Sequence, residues 1–386
     1  MTKIGDLLVE FKEGPRRGEQ PPVLTLTERN GFVRQTDRFN KRLATDDTSS
    51  YKVVRRNDIA FNPYLLWAGA VAQNTIVDEG VISPLYPTFH VRESYDPRYV
   101  SRLLLTEQLI TAYDGIAFGS VPRRRRSSVA DFLNLPLPPQ PPLDEQRRIA
   151  AILDQADSLC AKRRRVLVHL DALVQSIFHE MFGDMSAEAT VEDIILPAKG
   201  SIRTGPFGSQ LLHSEFVDEG VAVLGLDNVV GNEFRWAERR FITSEKYAQL
   251  ARYTVYPGDV LISIMGTTGR CVVVPEDIPT AINTKHICAI TADQTRIEPA
   301  FLRAAFLWHP ESRAHLRRQT KGSIMDGLNM GIIKSMPVPV PPIGQQKEFA
   351  ARVDRVDAQR EALTRIAAKD DELFAALQSR AFRGEL

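Results

Sequence analysis

The sequence predicts a mixed α/β protein in which two globular domains are separated by two long antiparallel helices forming a coiled coil, the whole being a pseudo-twofold internal repeat. Three observations carry this expectation. The chain has 386 residues, too many for one ordinary core. A segment recurs at an offset of 200 residues. The stretch after each copy of that segment spaces its apolar residues as a helix seam does. The expected boundaries are 1–135 for the first domain, 136–184 for a proline hinge and long helix, 185–335 for the second domain, and 336–386 for the second hinge and helix.

The repeat is clearest at the hinges. PLPPQPPLDEQRRIAAILDQAD runs from Pro136 to Asp157, and PVPVPPIGQQKEFAARVDRVD from Pro337 to Asp357. Pro139, Pro141, Pro142, Gln146, Ala150, Ala151, Asp154 and Asp157 all return 200 positions later, as do Leu173 and Phe182. Each proline run excludes helix and predicts a stiff, extended approach to the helix that follows. Asp144 and Glu145 then sit at a helix N-terminus, where negative charge is favoured. From there Ile149, Leu153, Ala156, Cys160, Leu167, Leu170, Val174, Ile177 and Met181 mark a seam that asks for a partner helix. The second copy offers Phe349, Val353, Val356, Leu363, Phe374 and Leu377, with Arg360 and Asp370 as polar interruptions. A helix of roughly 35 residues is about 50 Å long, so such a pair would act as a ruler.

The globular halves match more weakly. YKVVRRNDIAF (Tyr51 to Phe61) parallels YTVYPGDVLIS (Tyr253 to Ser263), each a strand, a turn and an apolar strand. PRYVSRLLL parallels PAFLRAAFL, each a short helix opened by proline. A Gly-Ser-aliphatic turn follows in both, at Gly119 and at Gly322.

Composition bounds the function. With 43% apolar and 25% charged residues the chain is of ordinary globular type. No run approaches the length of about 18 apolar residues that a membrane span needs, and the N-terminus is charged where a signal peptide is apolar, so a cytoplasmic protein is expected. Cys160, Cys271 and Cys288 lack metal-ligand spacing and are expected to be reduced and structural. The net charge of +1 divides into +3 for 1–142, −1 for 143–184, −1 for 185–342 and 0 for 343–386, so only the first domain leans basic.

No reactive motif is complete. Asn62-Pro63-Tyr64 is similar to the NPPY/F loop of adenine-N6 methyltransferases but lacks one proline and an upstream glycine-rich turn, and reads as a tight turn after a strand. GTTGR (Gly266 to Arg270) lacks the Lys-Ser/Thr of a phosphate loop. His169 and His179 fall on the predicted helix and read as solvated.

Taken together, the motifs resemble the specificity subunit of type I restriction-modification systems over essentially the whole chain. PLPPQPPLDEQRRIAAIL resembles the start of that family's central helix, and FRGEL is similar to its usual ending. GPFGSQL (Gly205 to Leu211), followed by EGVAVLGLDNV, resembles the opening of a target recognition domain; the first domain carries EGPRRGEQPPVLTL at that place. The resemblance implies a non-catalytic subunit with two target recognition domains reading the halves of a split double-stranded DNA site. It further implies helices that set the gap and dock two modification (methyltransferase) subunits, with restriction (motor-nuclease) subunits joining. This chain would hold no cofactor, S-adenosylmethionine, ATP and Mg belonging to the partner subunits, and no membrane is involved.

DNA binding calls for cations on phosphates and amide or planar groups on base edges. The first domain offers Arg16, Arg17, Arg55, Arg56 and the run Arg123, Arg124, Arg125, Arg126. The second offers Arg203, Ser209, Gln210, Arg270, Lys285, Arg317, Arg318 and Lys321, several of them expected in surface ion pairs. Two other readings compete: a coiled-coil scaffold with protein-binding ends, which the arginine run disfavours, and a self-contained methyltransferase or nuclease, which the missing motifs disfavour.

Overall fold

The computed structural model describes residues 2–16, 21–28, 30–38, 48–119, 125–236, 239–320 and 327–386. The chain divides into two compact units, Met1–Arg164 with Arg365–Leu386, and Arg165–Thr364. Each unit therefore combines one globular half with a stretch of each long helix.

The turn sequence recognised at Asn57-Asp58 and Gly258-Asp259 shows why the two halves fold alike. Asn57 and Gly258 both take left-handed backbone, φ 74° and 76°, a conformation that asparagine and glycine tolerate better than other residues. The following aspartate closes the turn: Asp58 accepts from the Arg55 N–H at 2.7 Å and Asp259 from the Tyr256 N–H at 2.8 Å. In each case a buried strand leaves the turn, Ile59–Phe61 in one unit and Val260–Ser263 in the other.

These strands are interior to matching antiparallel sheets. In the first unit the order is Leu8–Phe11, Thr88–Val91, Ile59–Phe61, Val71–Gln73. In the second it is Ile202–Thr204, Ile287–Ile290, Val260–Ser263, Cys271–Val273. A second layer also recurs. The second unit has Phe241–Ile242, Val221–Leu224, Ala281–Asn283 and Thr254–Val255, with the middle two parallel. The first unit places Gly31–Arg34 beside Leu24–Thr27 and Glu79–Ile82 beside Lys52–Arg55, and a parallel bridge from Val23 to Val81 joins the pairs. A proline-opened helix follows each, Pro97–Leu103 and Pro299–Trp308.

The hinges are held, not free. Pro136–Leu137 pairs with Thr2–Lys3, and Pro337–Val338 with Ala189–Thr190, so each hinge forms a two-stranded ladder with the start of its own domain. Then comes the glutamine that recurs in the sequence. Gln146 is buried, donates to the Pro141 carbonyl at 2.8 Å and accepts from the Asp96 N–H at 3.0 Å. Gln346 is buried too, donates to the carbonyls of Pro341 and Arg296 at 2.7 and 3.0 Å, and accepts from the Glu298 N–H at 2.8 Å. One amide thus ties hinge, long helix and domain helix together.

The long helices are Leu143–Phe182 and Ile343–Ala381, 40 and 39 residues. In the first unit Ile149, Ala150 and Leu153 join a core with Phe61, Phe89, Phe132 and Tyr113, and Phe374, Leu377 and Ala381 pack on it. In the second, Leu170, Val174, Phe178 and Phe182 share a core with Phe301, Phe306, Phe349, Val353 and Val356. Here the expected seam needs correction: Phe178 and Phe182 are the buried residues, while Ile177 and Met181 only pack at the margin. Spacings of four from Leu170 onward exceed the 3.6-residue turn, so the buried stripe moves round the helix and leaves the heptad seam.

The polar interruptions of the second seam have partners. Asp370 pairs with Arg163 and Asp371 with Arg164, all in the first unit. Arg360 meets Glu233 at 2.9 Å, Asp357 at 3.1 Å and Asp171 at 3.6 Å in the second. Arg102 reaches Asp154 at 2.8 Å, which accounts for that repeated aspartate in the first copy.

Replacing Gln146 or Gln346 by Leu strands a buried N–H and a buried carbonyl. Each change is expected to cost about 1–3 kcal/mol and to lower the thermal midpoint by several degrees. The exposed neighbour Gln345→Leu should stay within about 0.5 kcal/mol. Thermal denaturation of the three variants checks this.

Candidate nucleic-acid interface

In the second unit four loops leave one end of the sheets. The registers Thr204 to Cys288, Ser263 to Ile287 and Leu224 to Asn283 bring together the segments 205–212, 225–229, 264–270 and 284–286. The first glycine of GPFGS is required by closeness: a Cβ on Gly205 would lie 2.0 Å from the Asn283 carbonyl oxygen. GTTGR is a tight turn wrapped on Ser263, whose hydroxyl donates to the Thr267 carbonyl at 2.5 Å and accepts from the Arg270 N–H at 2.9 Å. Gly266 and Gly269 supply its left-handed positions, φ 74° and 80°.

This end presents Ser209 and Gln210 on a short turn, Gly208–Gln210, with Phe207 exposed beside them. Lys285 is exposed and Arg270 half-buried. Burial and the Lys285 charge hold His286 below the usual imidazole range. The carbonyl oxygen of Gln210 already accepts from the Tyr253 hydroxyl at 2.8 Å, and Arg252 donates to that hydroxyl at 2.9 Å. A bidentate contact from Gln210 to adenine would have to displace Tyr253. Arg317 and Arg318 are exposed in the last turn of Pro310–Thr320; Lys321 lies outside the described residues.

Arg203 belongs to the interior. It is 7% exposed, donates to the Thr254 carbonyl at 2.8 Å, to the Gly200 carbonyl at 3.1 Å and to the Thr291 hydroxyl at 2.9 Å, and pairs with buried Asp259. Its guanidinium therefore braces the turn at Gly258-Asp259.

In the first unit the corresponding sheet end carries the Asn62–Ala70 loop and the Ala117–Phe118/Arg126–Ser127 hairpin. Arg126 lies over the Tyr64 ring at 5.8 Å and has no carboxylate partner among the described residues. Arg125 is held by Asp114, to its carboxylate at 2.5 Å and its carbonyl at 2.6 Å, and lies 5.9 Å from the Trp67 ring. Arg16 is exposed. Arg55 grips Glu13 through two bonds, 2.8 and 2.6 Å, and Glu79 at 3.0 Å; the Glu13 hydrogen bonds raise its pKa well above the ordinary arginine value. Arg56 is taken up by Asp78 at 2.8 Å and the Thr75 carbonyl at 2.9 Å. Arg17, Arg123 and Arg124 lie outside the described residues.

Asn62-Pro63-Tyr64 is a local turn. The buried Asn62 side chain accepts from the Tyr64 N–H at 3.0 Å and donates to the Tyr86 hydroxyl at 3.3 Å. Among the described residues no cluster of three metal-ligating side chains occurs, and no helix is long and apolar enough to cross a membrane. Cys271 and Cys288 are fully buried, which pushes both thiols up to about 12. Sequence reasoning missed Trp67 and Phe118 at these loops, and read Tyr64 and Phe207 only as parts of the Asn62-Pro63-Tyr64 and GPFGSQL motifs. Their signal was available, since Phe118 stands just before the arginine run.

The duplicated α/β frame thus carries loop ends that offer cations and aromatic faces. Known proteins share parts of this sequence and its fold. Residues 229–369 match the type I restriction modification DNA specificity domain. The EcoBI specificity subunit of Escherichia coli is 26% identical over 279 residues, covering 64% of this chain and 58%, less than two thirds, of that protein. The MjaVIII specificity subunit of Methanocaldococcus jannaschii is 21% identical over 380 residues, 92% of this chain and 85% of the other. A solved chain from a study of type I R-M complex assembly and conformational transition aligns at TM-score 0.60 and 16% identity, covering 100% of this chain and 97% of its own. The type I S subunit from M. genitalium aligns at TM-score 0.57 and 14% identity, over 98% and 95%. Residues 229–369 thus match the type I restriction modification DNA specificity domain, and the chain shares the mixed α/β fold of these solved chains.

The different surroundings of the cations predict different mutational effects. Arg203→Met leaves buried Asp259 unpaired and is expected to cost about 3–5 kcal/mol of stability. The double change Arg270→Ala, Lys285→Ala removes side chains without acid partners among the described residues and should stay within about 1 kcal/mol. Chemical denaturation of the two variants distinguishes these outcomes.

Proposed function

We propose that the chain is the sequence-reading subunit of a type I restriction-modification enzyme and acts in the cytoplasm without catalysing a reaction itself. Its recognition domains, 1–135 and 185–335, read the two halves of a bipartite double-stranded DNA site. The hinge-and-helix segments, 136–184 and 336–386, form an antiparallel coiled coil that sets the distance between them. The observation that carries this reading is that one strand order occurs twice on matching hinges, while the loops at the corresponding sheet ends differ in residue type.

Several features support the parts of this reading. Helices of 40 and 39 residues are each about 60 Å long. Large exposed apolar residues lie on them, Leu159, Ile366 and Leu373 in the first unit and Val166, Val168 and Leu173 in the second, which suits the docking of two modification subunits. Restriction subunits complete the assembly. S-adenosylmethionine, ATP and Mg act on those partners. Asn62 spends its amide on the Tyr64 N–H and the Tyr86 hydroxyl, which disfavours a self-contained methyltransferase. The near-neutral net charge fits a subunit whose partners share in neutralising the DNA phosphates.

Adenine methylation mapped across the genome with and without this gene tests the proposal. Loss of one bipartite motif is the expected result; an unchanged methylation pattern, in a strain with active modification subunits, contradicts it.

A further inference from the structure

The hairpin of Ala117–Phe118 with Arg126–Ser127 is an unusual surface. Phe118 stands opposite Arg126 in the ladder, so the two side chains share a face. Phe118 is 66% exposed, more than any other large aromatic among the described residues. A lone exposed apolar residue needs no explanation, but three features set this one apart.

First, the hairpin is fastened. Arg125 donates to the Ala117 carbonyl at 3.3 and 3.4 Å, and the Ser127 N–H donates to the Pro63 carbonyl at 2.9 Å. The phenyl ring is thus displayed on a strand pair tied to the Asn62–Ala70 loop. Second, the cation beside it is uncommitted: Arg126 stacks over Tyr64, which orients it, and meets no carboxylate among the described residues. Third, a depression of about 430 Å³ adjoins the ring, lined by Pro63, Pro87, Phe118, Arg126 and Val129 among others. An apolar ring and a cation that share a face beside a shallow apolar hollow complement a base flanked by its phosphate.

We propose that Phe118 contacts the DNA half-site of the first domain by stacking on a base, and that Arg126 holds the adjacent phosphate. The proposal rests on the reading of the chain as a DNA-recognition subunit, and it names the residues that do the reading in the first domain. A ring face stacks on any base, so Phe118 supplies affinity and marks a deformable step; the hollow beside it accepts the displaced edge.

The test uses the chain assembled with its modification subunits and a duplex carrying the motif methylated in vivo, with 2-aminopurine placed in turn at each position of the half-site assigned to the first domain. Anisotropy gives affinity, and 2-aminopurine emission reports stacking. Phe118→Ala is expected to weaken binding by about tenfold to a hundredfold, with an unchanged salt slope, an altered 2-aminopurine signal at one position and an unchanged thermal midpoint. Phe118→Trp should retain binding. Phe118→Leu, which keeps apolar bulk without a ring face, should behave as the alanine variant. Arg126→Ala should lower the salt slope by about one. Wild-type affinity in either Phe118→Ala or Phe118→Leu overturns the stacking role, and an unchanged salt slope in Arg126→Ala overturns the phosphate role. Failure of the wild-type assembly to prefer its motif over random duplex would instead overturn the functional reading beneath.

Discussion

Each half of this protein hangs on one buried amide. Gln146 and Gln346 stand in the first turn of their long helices and satisfy, with a single side chain, a carbonyl of the proline hinge and an N–H at the start of the domain helix. Without that amide these backbone groups would be buried and unpaired, a cost of order 1–3 kcal/mol. The joint also has a mechanical consequence. A domain that swivelled on its helix could not deliver its loops to a defined place, however regular the helix. Proline stiffness, the two-stranded hinge ladder and the glutamine together remove that freedom.

The long helices carry a second constraint. A purely apolar seam tolerates slippage by a turn, whereas a charged residue within it must find its partner. Arg163 with Asp370 in one unit, and Arg360 with Asp171, Asp357 and Glu233 in the other, are such residues. Burial raises the pKa of Asp357, so its contribution depends on Arg360 remaining close. Arg360 also touches Glu233, on the loop whose Asn232 accepts from the Cys271 N–H next to Arg270. The long helix and the 264–270 loop of the second unit are thereby linked through a few polar contacts.

Much of this was legible in the sequence. Pro, Gln and Asp recurring at one offset announced the duplication, and the paired turn sequences announced matching strands. The role of the repeated glutamine was not legible, because its partners Asp96 and Glu298 lie 50 and 48 residues away. Seam residues were read correctly at Ile149, Leu153, Cys160, Leu170 and Val174, and missed where the buried stripe turns round the helix at Phe178 and Phe182, four residues apart. The candidate site was legible only as residue types. Nothing in the sequence around Arg203 reveals that Asp259 is buried against it, or that Glu13 and Asp78 occupy Arg55 and Arg56. Charge alone identifies cations; their availability is settled by distant acids.

The proposed ruler role of the long helices is tested most directly by adding one heptad to both at matching places. Methylation mapping should then return the same two half-sites separated by a longer spacer. An unchanged spacer, or a change in the half-sites themselves, would contradict the ruler role.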